Sequence, residues 1–165
     1  MNESIQKPEI IFIHGYESSG HGFKGNYFRS IFPDIITPDF TGELLERMEQ
    51  LNKVLKAEKK WIFIGSSFGG LMGTLYMMEY PDKVEKAVLM APALVSPLIP
   101  KDFKLNKIEI PVIIFHGKND EVVPLDPVRK FAEDYISKFE YYLVDDDHRL
   151  HATTKSIEWE KILKI

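Results

Sequence analysis

The sequence predicts an α/β protein in which a mainly parallel sheet of about six strands lies between two layers of helices. Short runs of β-branched or aromatic apolar residues recur along the chain, and helix-length segments separate them. The runs are continuously apolar, which is typical of strands that are covered on both faces. The order of the segments indicates an open, doubly wound sheet, in which ligands bind beyond the carboxyl ends of the strands.

Five apolar runs are the strongest strand candidates, and a weaker one lies between the first two. The strong runs cover residues 10–13, 61–64, 87–90, 112–115 and 141–144, and the weak run covers residues 35–37. Helices are predicted over residues 43–56, 71–80, 128–136 and 156–163, where apolar side chains recur at helical spacing. Prolines interrupt the stretch 92–111, which has room for one short helical turn.

Composition and charge indicate a single domain that spans residues 1–165. With 44% hydrophobic and 28% charged residues, the chain has the make-up of a folded globule. A net charge of −4 without a basic stripe argues against nucleic acid or an anionic membrane as a partner. The chain has no cysteine, which excludes disulfides, a thiolate nucleophile and cysteine-ligated zinc. Residues 1–10 lack the pattern of a secretory signal, and we expect a cytoplasmic protein.

Three chemically capable residues each follow a predicted strand. Ser67 follows the run 61–64, Asp120 follows the run 112–115, and His148 follows the run 141–144. Because parallel strands end at the same edge of a sheet, we expect the three side chains to converge there. A hydroxyl, an imidazole that takes its proton and a carboxylate that orients the imidazole are the groups needed for nucleophilic acyl transfer.

The stretch GSSFGG, residues 65–70, predicts the sharp turn that presents one of these groups. It fits the pattern G-x-S-x-G, in which a strained strand-to-helix turn lifts a serine above the sheet. The spacing selects Ser67 rather than Ser66. Gly65 and Gly69 are expected where the strand and the helix come too close for a side chain.

These motifs together resemble those of the α/β-hydrolase fold family, specifically its small esterase-type members without a large cap. The matching stretches are IIFIHGYESSG (10–20), PDF (38–40), GSSFGG (65–70), FHGKNDEVVP (115–124) and DDDHRLH (145–151). They occur in the family's order of nucleophile, acid and histidine. The resemblance implies an oxyanion hole made by the backbone N–H groups of Tyr16 and Phe68. It also implies that two N-terminal strands and the cap of the larger members are missing here, which predicts a shallow, open cleft.

The expected substrate-binding residues lie near these turns and in the segment that replaces the cap. They are Tyr16, Phe68, Leu94, Val95 and Leu98. The polar loop over residues 16–25, which contains His21, is expected at the edge of the cleft. His14 and His116 are expected to hydrogen-bond to loop backbone at the rim of the sheet.

Each assignment has an alternative. Ser67 could simply cap the following helix or bind an anion there. Glu121 and Asp126 are rivals of Asp120 for the role of the acid. His148 and His151, beside the acidic run 145–147, could instead hold a metal ion.

The sequence therefore predicts a serine hydrolase for small carboxylic esters or thioesters that needs neither a metal nor a cofactor. Two other functions remain open. One is a non-catalytic binding or interaction protein with the same fold. The other is an acyltransferase or perhydrolase that uses the same three residues.

Overall fold

The computed structural model describes residues 7–55 and 58–165, in which five strands form one parallel sheet. The strands are β1 (Glu9–Ile13), β2 (Trp61–Ser66), β3 (Val84–Met90), β4 (Val112–Gly117) and β5 (Phe139–Val144), and they neighbour one another in that order. The five strong strand predictions are confirmed. Residues 1–6, which belong to the stretch tested for a secretory signal, and residue 56, the predicted end of a helix, lie outside the described residues.

The sixth expected strand, over residues 35–37, is reduced to a single bridge between Ile36 and Ile11. The N–H of Phe12 donates to the carbonyl of Ile36 at 2.9 Å. Prolines at positions 33 and 38 flank this bridge, and a proline has no N–H to continue the ladder. The strand count is therefore corrected from six to five.

The chain changes direction across the sheet at β1. It runs from β1 through α1 (Phe23–Ile31) to Ile36 on one side of β1, and then through α2 (Leu44–Val54) to β2 on the other side. Ligands of open parallel sheets bind at such a reversal, beyond the carboxyl ends of the strands. The loops that follow β1 and β2 are therefore the place to look for a site.

Helices cover both faces of the sheet, as predicted. Ile11 and Ile13 of β1 pack in one buried cluster with α2, α3 (Phe68–Glu79) and α4 (Leu125–Tyr135). Phe12, which points to the opposite face, packs in a second cluster with α1 and α6 (Trp159–Leu163). The alternation of side chains along a strand thus divides the core into two layers.

At the edge of the sheet, β5 departs from the expected burial on both faces. Glu140, Tyr142 and Leu143 are exposed. A groove of about 890 Å³ separates this part of the sheet from the helices that follow β5. The apolar run therefore indicated a strand correctly but overstated its coverage.

The single helix predicted over residues 156–163 is wrong. The chain forms two short helices, α5 (His151–Ser156) and α6, with Ile157 extended between them at φ −70° and ψ 133°. The Trp159 side chain is buried, and its indole N–H donates to the carbonyl of Thr154 at 2.8 Å. A break at Ile157 is what allows Trp159 to turn into the core.

Two irregular segments are shorter or more ordered than their composition indicates. The polar loop expected over residues 16–25 ends at Gly22, because α1 begins at Phe23. Arg29 on α1 donates to the carbonyl of Gly20 at 2.6 Å, which ties the helix to this loop. The proline-rich stretch between β3 and β4 contains one 3₁₀ turn, Ser96–Leu98. Within the described residues, no helix combines the length and the apolar character that a bilayer crossing requires.

Candidate active site

Ser67 occupies a strained turn between β2 and α3. Its backbone has φ 51° and ψ −114°, a region that residues with a side chain rarely adopt. Although Ser67 stands at the start of α3, its hydroxyl makes no capping hydrogen bond to that helix. The adjacent Ser66 is part of β2 and is only 8% exposed. Helix capping therefore does not account for the Ser67 hydroxyl.

Two glycines allow α3 to begin this close to the sheet. A Cβ on Gly69 would lie 2.0 Å from the carbonyl oxygen of Ile13, and one on Gly65 would lie 2.9 Å from the Cα of Gly70. Cβ atoms do not approach other atoms at these distances, so either side chain would push the helix away from the strands. The turn thus needs glycine at both positions of the motif.

His148 and Asp120 lie beside the Ser67 hydroxyl. Nε2 of His148 is 3.0 Å from Oγ of Ser67, and Nδ1 of His148 is 2.8 Å from Oδ2 of Asp120. Because an ionised carboxylate can only accept, we assign the imidazole proton to Nδ1, which leaves Nε2 able to accept the hydroxyl hydrogen. The structure thus brings together the three side chains that the sequence placed after β2, β4 and β5.

Hydrogen bonds hold the buried Asp120 carboxylate as an anion. Its side chain is fully buried, and Oδ1 accepts the N–H groups of Val122 and Val123, each at 2.8 Å. Burial by itself would raise the pKa of Asp120, but the bonds from Val123, His148 and Val122 outweigh it and lower that pKa below its ordinary value. The rival acids Glu121 and Asp126 are both exposed.

A second buried histidine contacts the same carboxylate. Nε2 of His116 is 3.1 Å from Oδ2 of Asp120 and 3.1 Å from the carbonyl of Val123, and Nδ1 is 2.9 Å from the Tyr141 hydroxyl. Two acceptors at Nε2 assign the proton to that nitrogen, so Nδ1 accepts from Tyr141. Burial lowers the pKa of His116 and raises the pKa of Tyr141 to about 12, which keeps both groups neutral. His116 thus makes the expected bond to loop backbone, at Val123, and it also contacts Asp120, which the sequence did not indicate.

The two predicted oxyanion residues lie next to each other. Tyr16 follows β1 and Phe68 opens α3, and their rings meet edge to face with centroids 5.2 Å apart. The N–H of Phe68 has no acceptor inside its own helix, since it belongs to the first turn. His14 holds the loop that follows β1. Its Nε2 accepts the N–H of Phe40 at 2.8 Å, and its Nδ1 donates to the carbonyl of Gly15 at 2.7 Å. His14 thus has the rim role expected for it.

A cleft of about 740 Å³ opens at Ser67. Tyr16, Phe23 and Val122 line it, and their side chains are exposed to 47%, 36% and 69%. Lys24 and Arg149 also line it, together with acidic side chains, so the cleft carries charges of both signs. Tyr16 is a substrate-binding residue expected here, and Phe23 and Lys24 belong to the stretch 16–25 that was expected at the edge of the cleft. The sequence did not indicate Val122 or Arg149.

The other expected substrate-binding residues are not among those that line this cleft. Phe68 is buried beneath Tyr16, and Leu94 is 1% exposed within the core. Val95 and Leu98 are not among the residues that line the cleft. The N–H of Ala93 donates to the carbonyl of Ser67 at 2.9 Å, which folds the chain after β3 back against the start of α3 and turns Leu94 inward.

The acidic run and His151 have structural partners. The His151 ring stacks on Phe23 with centroids 3.8 Å apart. Oδ2 of Asp146 accepts the N–H and the hydroxyl of Thr153, at 2.9 and 2.8 Å. Across residues 7–55 and 58–165, no three His, Cys, Asp or Glu side chains converge to hold a metal ion. His21, expected at the edge of the cleft, is not among the residues that line it, and its Nε2 lies 3.7 Å from Oδ2 of Asp39.

Comparison with known proteins identifies the architecture. A family model described as the alpha/beta hydrolase fold matches residues 29–104. Alpha/beta hydrolase domain-containing protein 10 from mouse is 21% identical and superposes with a TM-score of 0.77, over 96% of this chain and 90% of that one. The chain has the α/β-hydrolase fold.

Two more solved structures share the α/β-hydrolase fold with this chain. A putative hydrolase of the alpha/beta superfamily from Xanthomonas campestris pv. campestris is 23% identical, with a TM-score of 0.78 over 96% of this chain and 100% of that one. Est1E from Butyrivibrio proteoclasticus, solved with ferulic acid bound, is 17% identical, with a TM-score of 0.71 over 96% of this chain and 89% of that one. The resemblance drawn from the sequence motifs is thus confirmed for the fold.

A curated relative of this α/β-hydrolase-fold chain comes from Oryza sativa subsp. japonica and is named a probable 1-acylglycerol-3-phosphate O-acyltransferase. It is 30% identical over 105 residues. The match covers 52% of this chain but 25% of the relative, so the chain spans about a quarter of the length of that protein.

Proposed function

We propose that the chain is a serine hydrolase that cleaves small carboxylic esters or thioesters through an acyl-enzyme on Ser67. The observation that carries this proposal is the chain of contacts from Oγ of Ser67 to His148 at 3.0 Å and from His148 to Asp120 at 2.8 Å. A hydroxyl, an imidazole and a buried carboxylate at these separations have the geometry required for nucleophilic acyl transfer.

In the acylation step, Nε2 of His148 takes the hydroxyl proton as Oγ of Ser67 attacks the substrate carbonyl carbon. The Nδ1–H stays bonded to Asp120, whose negative charge stabilises the imidazolium that forms. The N–H groups of Tyr16 and Phe68 hold the acyl oxygen as it becomes negative. The intermediate then collapses, the bond to the alcohol or thiol breaks, and the leaving group takes the proton from His148.

Deacylation repeats these steps with water as the nucleophile. His148 takes a proton from a water molecule that attacks the acyl carbon, and the same N–H groups stabilise the second intermediate. The bond between the acyl carbon and Oγ breaks, and Ser67 recovers its proton from His148. The carboxylic acid leaves, and no metal or organic cofactor takes part in the proposed cycle.

The surroundings of Ser67 favour a short acyl group. The described segment between β3 and β4 contains one 3₁₀ turn and no inserted domain, so the cleft is bounded by exposed side chains such as Tyr16 and Val122. A long acyl chain would find little apolar surface to bury there. We expect p-nitrophenyl acetate to be hydrolysed faster than long-chain esters, and an optimum at long chains would contradict this picture.

Transfer of the acyl group to an alcohol is a second candidate, favoured by the curated relative, which is named a probable 1-acylglycerol-3-phosphate O-acyltransferase. The same acyl-enzyme would react with an alcohol instead of water. The two functions are separated by the ratio of ester to acid products when a primary alcohol is added. A similar comparison with hydrogen peroxide tests peracid formation.

Labelling with a fluorophosphonate tests the proposal. The wild-type protein should be labelled at Ser67 and should hydrolyse p-nitrophenyl acetate, and Ser67→Ala should lose both properties. Ser66→Ala is the matched control, because it removes a hydroxyl from the adjacent residue and should keep both. Turnover that persists in folded Ser67→Ala protein would overturn the assignment. A folded wild-type protein that is not labelled would instead support a non-catalytic binding function.

A further inference from the structure

Arg47 is a buried cation next to the two proposed oxyanion residues. It lies on α2 and is only 4% exposed. Its Nε donates to the carbonyl of Gly42 at 2.7 Å, and Nη2 donates to the carbonyl of Tyr16 at 3.1 Å. The guanidinium carbon is 4.7 Å from the centre of the Tyr16 ring and 5.5 Å from the centre of the Phe68 ring. Arg47 thus contacts both residues at once.

No carboxylate among the described residues forms an ion pair with this guanidinium. Its Nη1 is buried and has no hydrogen-bond partner there. Glu43, the residue directly before α2, accepts a hydrogen bond from the Tyr16 hydroxyl at 2.7 Å. Burial lowers the pKa of Arg47, yet a guanidinium remains protonated at neutral pH. The negative charge of Glu43 acts to raise the pKa of Arg47, but no carboxylate bonds to the guanidinium directly. A buried charge without a direct ion pair is unfavourable unless another benefit offsets its cost.

The two rings around the guanidinium offset only part of this cost through cation–π contact. The positive charge has a chemical use at the neighbouring site, which can offset the rest of this cost. The N-terminus of α3, which begins at Phe68, already favours negative charge. The buried positive group beside Tyr16 and Phe68 acts in the same direction, and its burial reduces screening by water.

We propose that Arg47 is a positioning residue for the oxyanion hole. Its fork holds the backbone of Tyr16 against Phe68, and its positive charge stabilises the negative acyl oxygen from behind the two N–H donors. This inference rests on the proposed acyl transfer at Ser67. The guanidinium is buried and does not touch the substrate, so it acts through Tyr16 and Phe68.

Kinetics of Arg47→Met and Arg47→Lys test the proposal. Methionine keeps an apolar side chain but removes the charge. We expect kcat for p-nitrophenyl acetate to fall about 10- to 100-fold, a loss no greater than that caused by removing a direct oxyanion donor. KM should stay within about twofold, because the interaction gains strength only in the transition state. Lysine keeps the charge but cannot make both bonds of the fork, so Arg47→Lys should give a smaller loss.

A transition-state analogue separates this role from a structural one. A trifluoromethyl ketone forms a tetrahedral, negatively charged adduct on Ser67, and its affinity should fall in the same proportion as kcat/KM across the variants. Leu51→Val is the control, since Leu51 is a fully buried residue one turn further along α2. It should lower thermal stability without changing kcat of the folded enzyme.

The outcomes are distinct. Arg47→Met with kcat within about twofold of wild type, or with reduced kcat but unchanged affinity for the ketone, overturns the role of Arg47 and leaves the proposed function intact. If Arg47→Met does not fold, Arg47→Lys decides by the same two measurements. A folded wild-type protein without turnover or labelling overturns the proposed function itself, and the role of Arg47 with it.

Discussion

Replacing Asp120 with asparagine keeps the shape of the side chain but removes the charge. The remaining carbonyl oxygen can still accept the N–H groups of Val122 and Val123. The amide NH₂ then takes the place of Oδ2, at which Nδ1–H of His148 and Nε2–H of His116 both point. Donors would face donors, and His148 relieves this conflict by moving its proton from Nδ1 to Nε2.

The changed tautomer removes the proposed base. With the proton on Nε2, His148 donates to Oγ of Ser67 and has no lone pair there to accept the hydroxyl proton. We expect kcat to fall by about 10⁴-fold, as for a wrong tautomer in such a site. That loss corresponds to about 5 kcal/mol in the activation barrier. KM should change little, because the Asp120 side chain does not line the cleft.

The assay is hydrolysis of p-nitrophenyl acetate at neutral pH, with a check of folding by circular dichroism. Glu121→Gln and Asp126→Asn are matched controls, because they neutralise the two exposed acids that compete for the same role in the sequence. Both should retain kcat within about twofold. An Asp120→Asn protein that keeps a tenth of the wild-type kcat would refute the argument. So would a control variant whose kcat falls as far as that of Asp120→Asn.

The same variant has a signature in stability. Because the folded state lowers the pKa of Asp120, the ionised carboxylate stabilises the fold at pH values above its ordinary pKa of 3.8. This contribution is lost as the pH falls through the lower pKa of the folded state. We expect the stability advantage of wild type over Asp120→Asn, measured by urea unfolding, to be full at pH 6 and to shrink below about pH 4.

Three smaller predictions follow from local geometry. Ser67→Gly should be more stable than Ser67→Ala by about 1–2 kcal/mol, and should unfold at a higher temperature, because glycine adopts a positive φ without strain. Equal melting temperatures would contradict this argument. Gly69→Ala should prevent folding or lower the melting temperature strongly, whereas Gly73→Ala, whose Cβ would lie 3.3 Å from a ring on β2, should be far milder. Tyr141→Phe leaves Nδ1 of His116 without its donor, and we expect about 1–3 kcal/mol of destabilisation in urea unfolding with kcat reduced less than in Asp120→Asn.

The candidate site was predictable because its residues stand where strands end. Ser67, Asp120 and His148 each follow a continuous apolar run, and a parallel sheet brings such ends to one edge regardless of their separation along the chain. The glycines around Ser67 were predictable for a similar reason, since a close approach of backbones leaves no room for a Cβ.

The errors share a different physical cause, because they depend on contacts between distant elements. Residues 35–37 have the composition of a strand, but the prolines beside them limit the pairing to Ile36. The pattern of 156–163 fits one helix, but burial of Trp159 requires a break. Leu94 has the character of a pocket residue, and a hydrogen bond of its neighbour to Ser67 turns it into the core.

The burial of Arg47 could have been predicted from the helical pattern of α2. It stands three residues after Leu44 and four before Leu51, on the apolar stripe that faces the core, whereas Leu45 lies off that stripe and is 71% exposed. A charged residue on such a stripe must find partners after burial. The partners, Gly42 and Tyr16, lie on loops whose course the sequence does not specify, so the position was predictable and the contacts were not.

Three locally unfavourable features meet at this edge of the sheet: the positive φ of Ser67, the buried carboxylate of Asp120 and the buried guanidinium of Arg47. A turn that only capped α3 would need none of them, and the Ser67 hydroxyl makes no capping bond. Strain and buried charge persist where the surrounding contacts enforce them, and a site that must stabilise developing charge gains from both. The concentration of such features around one hydroxyl favours catalysis over a structural role for this turn.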